Sequence, residues 1–194
     1  MPTTLEFNSM SSKVPIWRRS SQQARNELLN ALHAHAGLVI KVAGAILGNV
    51  ADAEDVAQDI AEKLLLAPPG NVRHWPALLK TMAVNRAIDK LRTRRDAESA
   101  DSIADIPSDK PTPEELLATS QRAHALRQAI NALTHREATL YSLRYFADQS
   151  HAQIALQTRM TENAVGVALH RIRQQLADRI HQNLGLTENG GINQ

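Results

Sequence analysis

The sequence predicts an all-α protein, on the grounds of its composition, its hydrophobic spacing and its helix-start signals. Of its residues, 43% are hydrophobic but only 3% are aromatic, so its core must consist of Leu, Ile, Val and Ala. This mixture favours helices over sheets, which are enriched in aromatic side chains. Apolar residues also recur at helical spacing, and patterns typical of helix N-termini precede several of these segments. We expect two small helical domains.

The rest of the composition excludes several classes of function. Lys and Arg number 22 against 20 Asp and Glu, so any nucleic-acid binding must come from local clusters of charge. The absence of cysteine excludes disulfides, thiol nucleophiles and Cys-based zinc sites. The eight histidines show no ligand spacing, and we expect no metal. No run of roughly 18 apolar residues and no signal-peptide core is found, which predicts a cytoplasmic protein without membrane insertion.

Charged residues are grouped in blocks that divide the chain. Residues 51–63 carry five acids and one Lys, and residues 71–95 carry seven Lys or Arg against a single Asp. Residues 96–115 return to seven acids and contain three prolines, which is typical of a flexible linker. The predicted organisation is a disordered tail (1–22), a first domain (23–95), a linker (96–113), a second domain (114–183) and a disordered tail (184–194).

The first domain is predicted to hold three helices, at about 29–47, 52–66 and 76–95. The first ends near Gly48, where its apolar stripe stops. Asp52 is suited to cap the second helix, because a carboxylate at that position accepts from free backbone N–H groups. The sequence Pro68-Pro69-Gly70 breaks the second helix.

The second domain is predicted to hold four helices, three of which begin at capping boxes. In a capping box a Ser or Thr side chain and a Glu or Gln three residues later satisfy each other's backbone N–H groups. The boxes are Thr112 with Glu115, Thr134 with Glu137, and Ser150 with Gln153. A fourth helix is predicted to start near Thr161.

The last two helices predict a helix-turn-helix unit. A short helix at 151–158 is followed by a tight turn at 159–161 and a longer amphipathic helix from Glu162. Ala155 is small enough to let the two helices approach closely. The spacing also fits an ordinary corner between two bundle helices.

The basic segment 85–95 places cations on successive turns of one helix, with Trp75 upstream. Lys and Arg beside an aromatic ring suit phosphate contact and base stacking. The other interpretation is a solvated helix end whose cations complement the helix dipole.

These segments resemble the extracytoplasmic-function (ECF) group of bacterial sigma factors, and the resemblance covers residues 28–182. Residues 47–64 look like the family's acidic polymerase-binding helix. Residues 75–95 look like its promoter-melting and minus-ten-reading helix. Residues 133–176 look like its helix-turn-helix domain, which reads the minus-thirty-five element. The three segments occur in the family's order on either side of an acidic linker.

The resemblance implies an alternative sigma factor that binds core RNA polymerase, at its clamp helices and flap, and directs initiation at promoter DNA. It also implies an anti-sigma partner, no enzymatic activity, no cofactor and no small-molecule substrate. Two other classes fit parts of the sequence. One is a stand-alone helix-turn-helix transcriptional regulator, and the other is a protein-interaction module that uses the acidic helix.

The family's functional positions carry over to three sets of residues here. The polymerase-binding set is Asp52, Glu54, Asp55, Gln58 and Asp59. The minus-ten set is Trp75, Lys80, Asn85, Arg86, Asp89, Arg92, Arg94 and Arg95. The minus-thirty-five set is Thr161, Asn163, Gly166, Val167, His170, Arg171, Arg173 and Gln174.

The chain departs from the family pattern at the helix-turn-helix. Arg159 stands where the turn usually has glycine, and the run 166–168 (Gly-Val-Ala) replaces a basic-Ser-basic run. We therefore expect contacts to the upstream element to depend on His170, Arg171 and Arg173.

Overall fold

A computed structural model describes residues 16–70, 72–97 and 113–183, and within these ranges the chain forms seven helices and no strand. The predicted all-α class is confirmed. The helices are α1 (Ile16–Leu47), α2 (Val50–Leu66), α3 (Trp75–Ala97), α4 (Pro113–Asn131), α5 (His135–Tyr145), α6 (His151–Thr158) and α7 (Glu162–Asn183). Of the predicted linker (96–113), residues 98–112 lie outside the described residues, and its two ends belong to α3 and α4.

The two ends of α1 correct two expectations. Helix α1 begins at Ile16, inside the stretch expected to be a disordered tail. The N-cap of α2 is Asn49 rather than Asp52, because Asn49 has extended backbone and its side chain accepts the Asp52 N–H at 3.2 Å. Gly48 has φ +70°, a left-handed conformation that glycine adopts without strain.

The first domain is built around α1, which packs along both α2 and α3. Leu28, Val42 and Ile46 of α1 are fully buried, together with Val56 of α2 and Leu79 of α3. Because α1 packs against two other helices, a large part of its surface must be apolar. The segment Gln22–Leu47 contains an 18-residue window of mean hydropathy 1.3, so it is long and apolar enough to cross a membrane by length and composition alone, a test that a helix in a protein core also passes.

The second domain confirms the predicted order of helices and two of the three capping boxes. Thr134 and Ser150 cap α5 and α6 with both bonds of the box present. Thr112, the cap of the first box, lies outside the described residues. Helices α4, α5 and α6 pack against α7 around a core that includes Leu143, Ile154 and Ile172.

The two domains are in direct contact. Helix α3 of the first domain packs against α5 and α4 of the second, as well as against α1 and α2 of its own domain. Helix α3 therefore lies at the centre of the molecule, and its contacts decide which predicted site residues are accessible.

Candidate functional site

An ion ladder, formed by three acids of α2 and three cations of α3, joins the two predicted functional helices. Its members are Asp52, Asp55 and Asp59 on α2 and Arg86, Lys90 and Arg94 on α3. Arg94 lies 2.7 Å from Asp52, Lys90 lies 2.9 Å from Asp52 and 2.8 Å from Asp55, and Arg86 lies 2.7 Å from Asp59. Three acids of the acidic block and three cations of the basic block are therefore paired with each other within the first domain.

The ladder is most protected at Asp52, whose side chain is 18% exposed, and most open at Asp55, at 66%. Burial lowers the pKa of the Lys90 ammonium, but hydrogen bonds to Asp55 and Asp52 outweigh it, so the pKa is raised above its usual value. Lys90 is consequently held in its charged form between the two carboxylates. Such partly exposed pairs each contribute at most about 1 kcal/mol to stability.

The remaining members of the predicted polymerase-binding set point away from α3. Glu54 and Gln58 are exposed one turn apart on α2. Gln58 donates to Glu62 at 3.2 Å along the same helix, and Glu54 forms no ion pair in the described part of the chain. The outer face of α2 thus presents Glu54 and Gln58, whereas Asp52, Asp55 and Asp59 are already paired.

A second row of α3 side chains faces the second domain. We call it the α3 stripe, and it consists of Lys80, Thr81, Asn85, Asp89 and Arg92. The Lys80 ammonium donates to the carbonyl oxygen of Ala147 at 2.6 Å, and the Arg92 guanidinium donates to that of Leu133 at 2.8 Å.

Three shorter side chains complete the contact of the stripe. Thr81 Oγ1 lies 2.7 Å from Gln157 Oε1, and Thr139 Oγ1 donates to Asn85 Oδ1 at 3.5 Å. Asp89 faces His135 at 3.7 Å. The predicted minus-ten set is therefore split between two faces of α3, one paired with α2 and one in contact with the second domain.

Asn85 also lines an open groove of about 550 Å³ between the C-terminal end of α2 and the middle of α3. Its walls include Lys63, Leu66, Met82 and Asp89, which combine apolar surface with hydrogen-bonding groups. The volume lies within the range of small-molecule sites, and a carboxamide can both donate to and accept from a base edge.

Two other members of the minus-ten set are placed differently. Trp75, at the start of α3, is half-buried and packs against the hydrophobic core. The side chain of Arg95 lies outside the described part of the structure.

The helix-turn-helix is formed as the spacing predicts. Helix α6 ends at Arg159, which has φ 54° and ψ 39° and whose N–H bonds back to Ala155. Thr161 then accepts the Ala164 N–H at 3.2 Å and so caps α7. Thr161 thus has a structural role besides its predicted place in the minus-thirty-five set.

Six of the predicted minus-thirty-five residues lie together on the exposed side of α7. They line one shallow concave surface, which we call the α7 face: Asn163, Gly166, Val167, His170, Arg171 and Gln174. Arg173 lies apart from them, close enough to Tyr141 of α5 to oppose the rise that burial causes in the pKa of the tyrosine. A Cβ added to Gly166 would lie 3.8 Å from the His151 ring, an ordinary contact, so folding does not require glycine there.

Sequence reasoning missed the residues of the second domain that contact the first domain. Thr139, Gln157 and Arg127 are polar residues on helix surfaces, and nothing in their spacing marks them. The Arg127 guanidinium lies directly beside Gly48 at the α1–α2 corner, and burial, together with nearby Arg94, lowers its pKa. Only the packing of the domains identifies these positions.

Comparison with known proteins identifies both halves of the chain. Residues 31–97 match the family description "Sigma-70 region 2", and residues 123–176 match "Sigma-70, region 4". A curated relative from Cereibacter sphaeroides, described as "ECF RNA polymerase sigma factor RpoE", is 30% identical over 150 residues. The aligned part covers 71% of this chain and 81% of the relative.

Proposed function

The chain belongs to the ECF family of bacterial RNA polymerase sigma factors and is an alternative sigma factor that directs transcription initiation, and we propose here how its residues share that work. Membership of the family implies binding to core RNA polymerase and to promoter DNA, with the protein acting as an initiation factor in the cytoplasm rather than as an enzyme. A stand-alone regulator would leave the match of residues 31–97 to sigma region 2 without a role.

We propose that the first domain (23–95) binds polymerase and reads and melts the minus-ten element. The observation that carries this proposal is the ion ladder, which holds α2 and α3 side by side. Because the two helices are held together, docking of α2 on polymerase fixes the position of α3 and of the groove beside Asn85. A base that leaves the DNA stack costs a few kcal/mol, which hydrogen bonds and stacking in such a groove can offset.

We propose that the outer face of α2 makes the first contact with the clamp helices of polymerase. Glu54 and Gln58 are exposed and bear no part of the ladder, so a partner can reach them without breaking an ion pair. Asp55, the most exposed acid of the ladder, lies beside them. A basic partner surface would be attracted to this face and steered by its charge.

The docking proposal is tested with the double variant Glu54→Lys, Gln58→Lys in gel filtration with core polymerase. We expect co-elution at moderate salt to be lost, since like charges at an interface cost several kcal/mol. The matched control is Gln23→Lys, Glu27→Lys on the exposed side of α1, which changes the charge equally. If the α2 variant co-elutes as well as the control, α2 does not carry the docking.

We propose that the second domain (114–183) places the α7 face in the major groove of the minus-thirty-five element. Asn163, His170 and Gln174 offer hydrogen-bonding groups and Arg171 a cation. The second domain would also contact the polymerase flap, and the linker (96–113) would span the two domains.

An anti-sigma factor is a further proposed partner. Co-expression with the products of neighbouring genes, followed by a transcription assay, would test it.

The promoter can be identified by transcription from genomic DNA. Holoenzyme reconstituted from this chain and core polymerase is used to transcribe fragmented genomic DNA, and the transcripts are sequenced. We expect start sites that share two sequence elements at the spacing of sigma-dependent promoters. Transcripts identical to those of core polymerase alone would contradict the proposed function.

A further inference from the structure

The α7 face combines little positive charge with one exposed apolar side chain. Its lining residues are Asn163, Gly166, Val167, His170, Arg171 and Gln174. Among these six, in the part of the chain that the structure describes, Arg171 is the single arginine and Val167 has the single apolar side chain. Because DNA phosphates are bound mainly by Lys and Arg, this face offers little to the DNA backbone and is better suited to the edges of the bases.

Val167 lies on the opposite side of α7 from the core. The core side of this helix is formed by four apolar residues that are each at most 4% exposed, Val165, Leu169, Ile172 and Leu176, whereas Val167 is 46% exposed. A β-branched side chain on an exposed helix position loses rotamer freedom and gains little packing in return. Val167 therefore contributes little to the fold and is available to a partner outside the chain.

We propose that the α7 face recognises a thymine of the minus-thirty-five element through contact between Val167 and the C5-methyl group of that thymine. This inference rests on the proposed function, since it takes the α7 face as the surface placed in the major groove. The C5-methyl group is the apolar group that an unmodified base pair presents in this groove, and it distinguishes thymine from cytosine. Valine can offer a base only apolar contact, so a methyl group is the part of the base edge that fits it.

Polar residues of the α7 face lie one helical turn from Val167 on both sides. Asn163 lies four positions before Val167 and Arg171 four positions after it, and residues at this spacing are neighbours on a helix surface. Asparagine forms paired hydrogen bonds with adenine, and arginine forms them with guanine. The thymine that Val167 contacts should therefore lie within the element, between base pairs that these polar side chains contact.

Gly166 allows the close approach that a short side chain requires. Valine ends at its Cγ methyl groups, so the α7 backbone must come near the base edge before Val167 can touch a thymine methyl group. A Cβ added to Gly166 would lie 3.8 Å from the His151 ring, so the fold tolerates alanine there. Glycine is nevertheless the least favourable residue after proline inside a helix. Close approach of the backbone to DNA accounts for its presence.

The proposal is tested by removing single methyl groups from the DNA. Holoenzyme reconstituted from this chain and core polymerase is assayed by run-off transcription on the promoter identified from genomic DNA. Each thymine of the upstream element, on either strand, is replaced in turn by deoxyuridine, which lacks the C5-methyl group and keeps the same base pairing. At limiting holoenzyme we expect initiation to fall about fourfold at the thymine that Val167 contacts, the factor expected for the burial of one methyl-sized group.

Val167→Ala should abolish this response, so that the thymine and deoxyuridine templates are used equally. The matched control is Leu156→Ala, which shortens an apolar side chain of α6 that is 84% exposed and lies outside the α7 face. The control should keep the full response to deoxyuridine. Both positions are exposed and alanine favours helices, so both variants should fold, which circular dichroism verifies.

Gly166→Ala tests the close approach with a second variant. We expect this variant to be more stable than the wild type in urea denaturation, because alanine has the higher helix propensity. It should nevertheless initiate less on the intact promoter and respond less to deoxyuridine, because the added Cβ keeps α7 away from the base edges. Initiation and deoxyuridine response equal to those of the wild type would overturn the role of Gly166.

The outcomes separate this inference from the proposed function. An upstream element without thymine, the absence of a deoxyuridine effect at every thymine, or an effect that persists in Val167→Ala would overturn methyl recognition by Val167. In each of these cases, a loss of initiation when the upstream element is scrambled would still support the proposed function. If scrambling leaves wild-type initiation unchanged, the proposed placement of the α7 face is contradicted, and this inference with it.

Discussion

At the scale of single residues, the backbone at Arg159 shows how a departure from the family pattern is accommodated. Arg159 stands at a turn position usually held by glycine, and it adopts the left-handed conformation all the same. A residue with a Cβ pays about 1 kcal/mol or more in that region. The helix-turn-helix thus forms with some backbone strain, and its sequence is suboptimal for stability at this position.

Arg159→Gly should stabilise the protein by about 0.5–1 kcal/mol, because it removes the left-handed strain and retains the turn. Urea denaturation followed by circular dichroism measures the change. Arg159→Ala is the control, since it deletes the side chain but keeps the Cβ. Equal effects of the glycine and alanine variants would show that the side chain, rather than the backbone, determines the stability here.

Asn85 combines two environments, since it lines the α2–α3 groove and also accepts from Thr139 at 3.5 Å. Asn85→Ala should reduce opening of a duplex promoter and weaken the preference for one minus-ten base, while polymerase binding is retained. Permanganate footprints on duplex and pre-melted templates measure both effects. Equal melting and equal base preference in variant and wild type would leave Asn85 with a structural role alone.

At the scale of secondary structure elements, the capping box of α5 links stability to pH. Hydrogen bonds from the Thr134 hydroxyl and backbone N–H to the Glu137 carboxylate lower its pKa below the usual 4.5. A carboxylate with a lowered folded pKa stabilises the protein above its ordinary pKa. That stabilisation is lost as the pH falls through the folded value.

In Glu137→Gln, the free energy of unfolding should fall less steeply than in the wild type as the pH drops from about 5 to about 3, the range in which a carboxylate is ordinarily protonated. Glutamine retains a capping oxygen, so the variant should differ little from the wild type at low pH and be less stable at neutral pH. Urea denaturation at a series of pH values provides the test. If the free energy of unfolding changes with pH equally in both proteins, protonation of Glu137 does not contribute to the pH dependence of stability.

Helix α7 has one face that is proposed to bind DNA and one that packs on its own domain, and two of its arginines distinguish the two faces. Arg171→Ala should weaken promoter use by roughly 1–3 kcal/mol if the contact is bidentate to a base. The matched control is Arg179→Ala, whose cation lies near Glu137 of α5 rather than on the α7 face. Run-off transcription from promoters with intact and scrambled upstream elements measures the difference.

A phosphate contact of Arg171 would give a loss that is nearly independent of the upstream sequence. Equal promoter use by the Arg171 variant, the control and the wild type at all salt concentrations would exclude a DNA contact by Arg171.

At the scale of the whole molecule, the charge blocks of the sequence are largely compensated by the fold. The basic block 71–95 holds seven Lys or Arg, of which three belong to the ion ladder and two to the α3 stripe. The free protein should therefore contact nucleic acid with far fewer Lys and Arg side chains than the seven in its basic block.

Binding of the free wild-type protein to random duplex DNA should fall with salt at a log–log slope of about −1. This value corresponds to Arg171, the arginine of the α7 face, whereas release of all seven cations in the basic block would give about −6. Fluorescence anisotropy between about 50 and 200 mM salt measures the slope. A wild-type slope near −6 would mean that the cations of α3 are free.

The sequence by itself determined the helices, the capping boxes at Thr134 and Ser150, the helix-turn-helix and the family. These features depend on residues within one or two helical turns of each other, so their spacing is visible along the chain. The one wrong cap illustrates the limit of this reasoning. Asn49 and Asp52 are both good capping residues, and the choice depended on where the backbone leaves the left-handed Gly48.

Only the tertiary structure decided which charged residues pair and which stay open. Asp52 and Arg94, or Lys80 and the carbonyl of Ala147, are far apart in sequence and meet only when helices pack in one register. No local pattern encodes that register, because it depends on how the buried side chains of several helices fit together. The sequence therefore placed Arg86, Asn85 and Arg92 on one predicted DNA-binding helix, and packing alone divided them between an ion ladder, a groove and the α3 stripe.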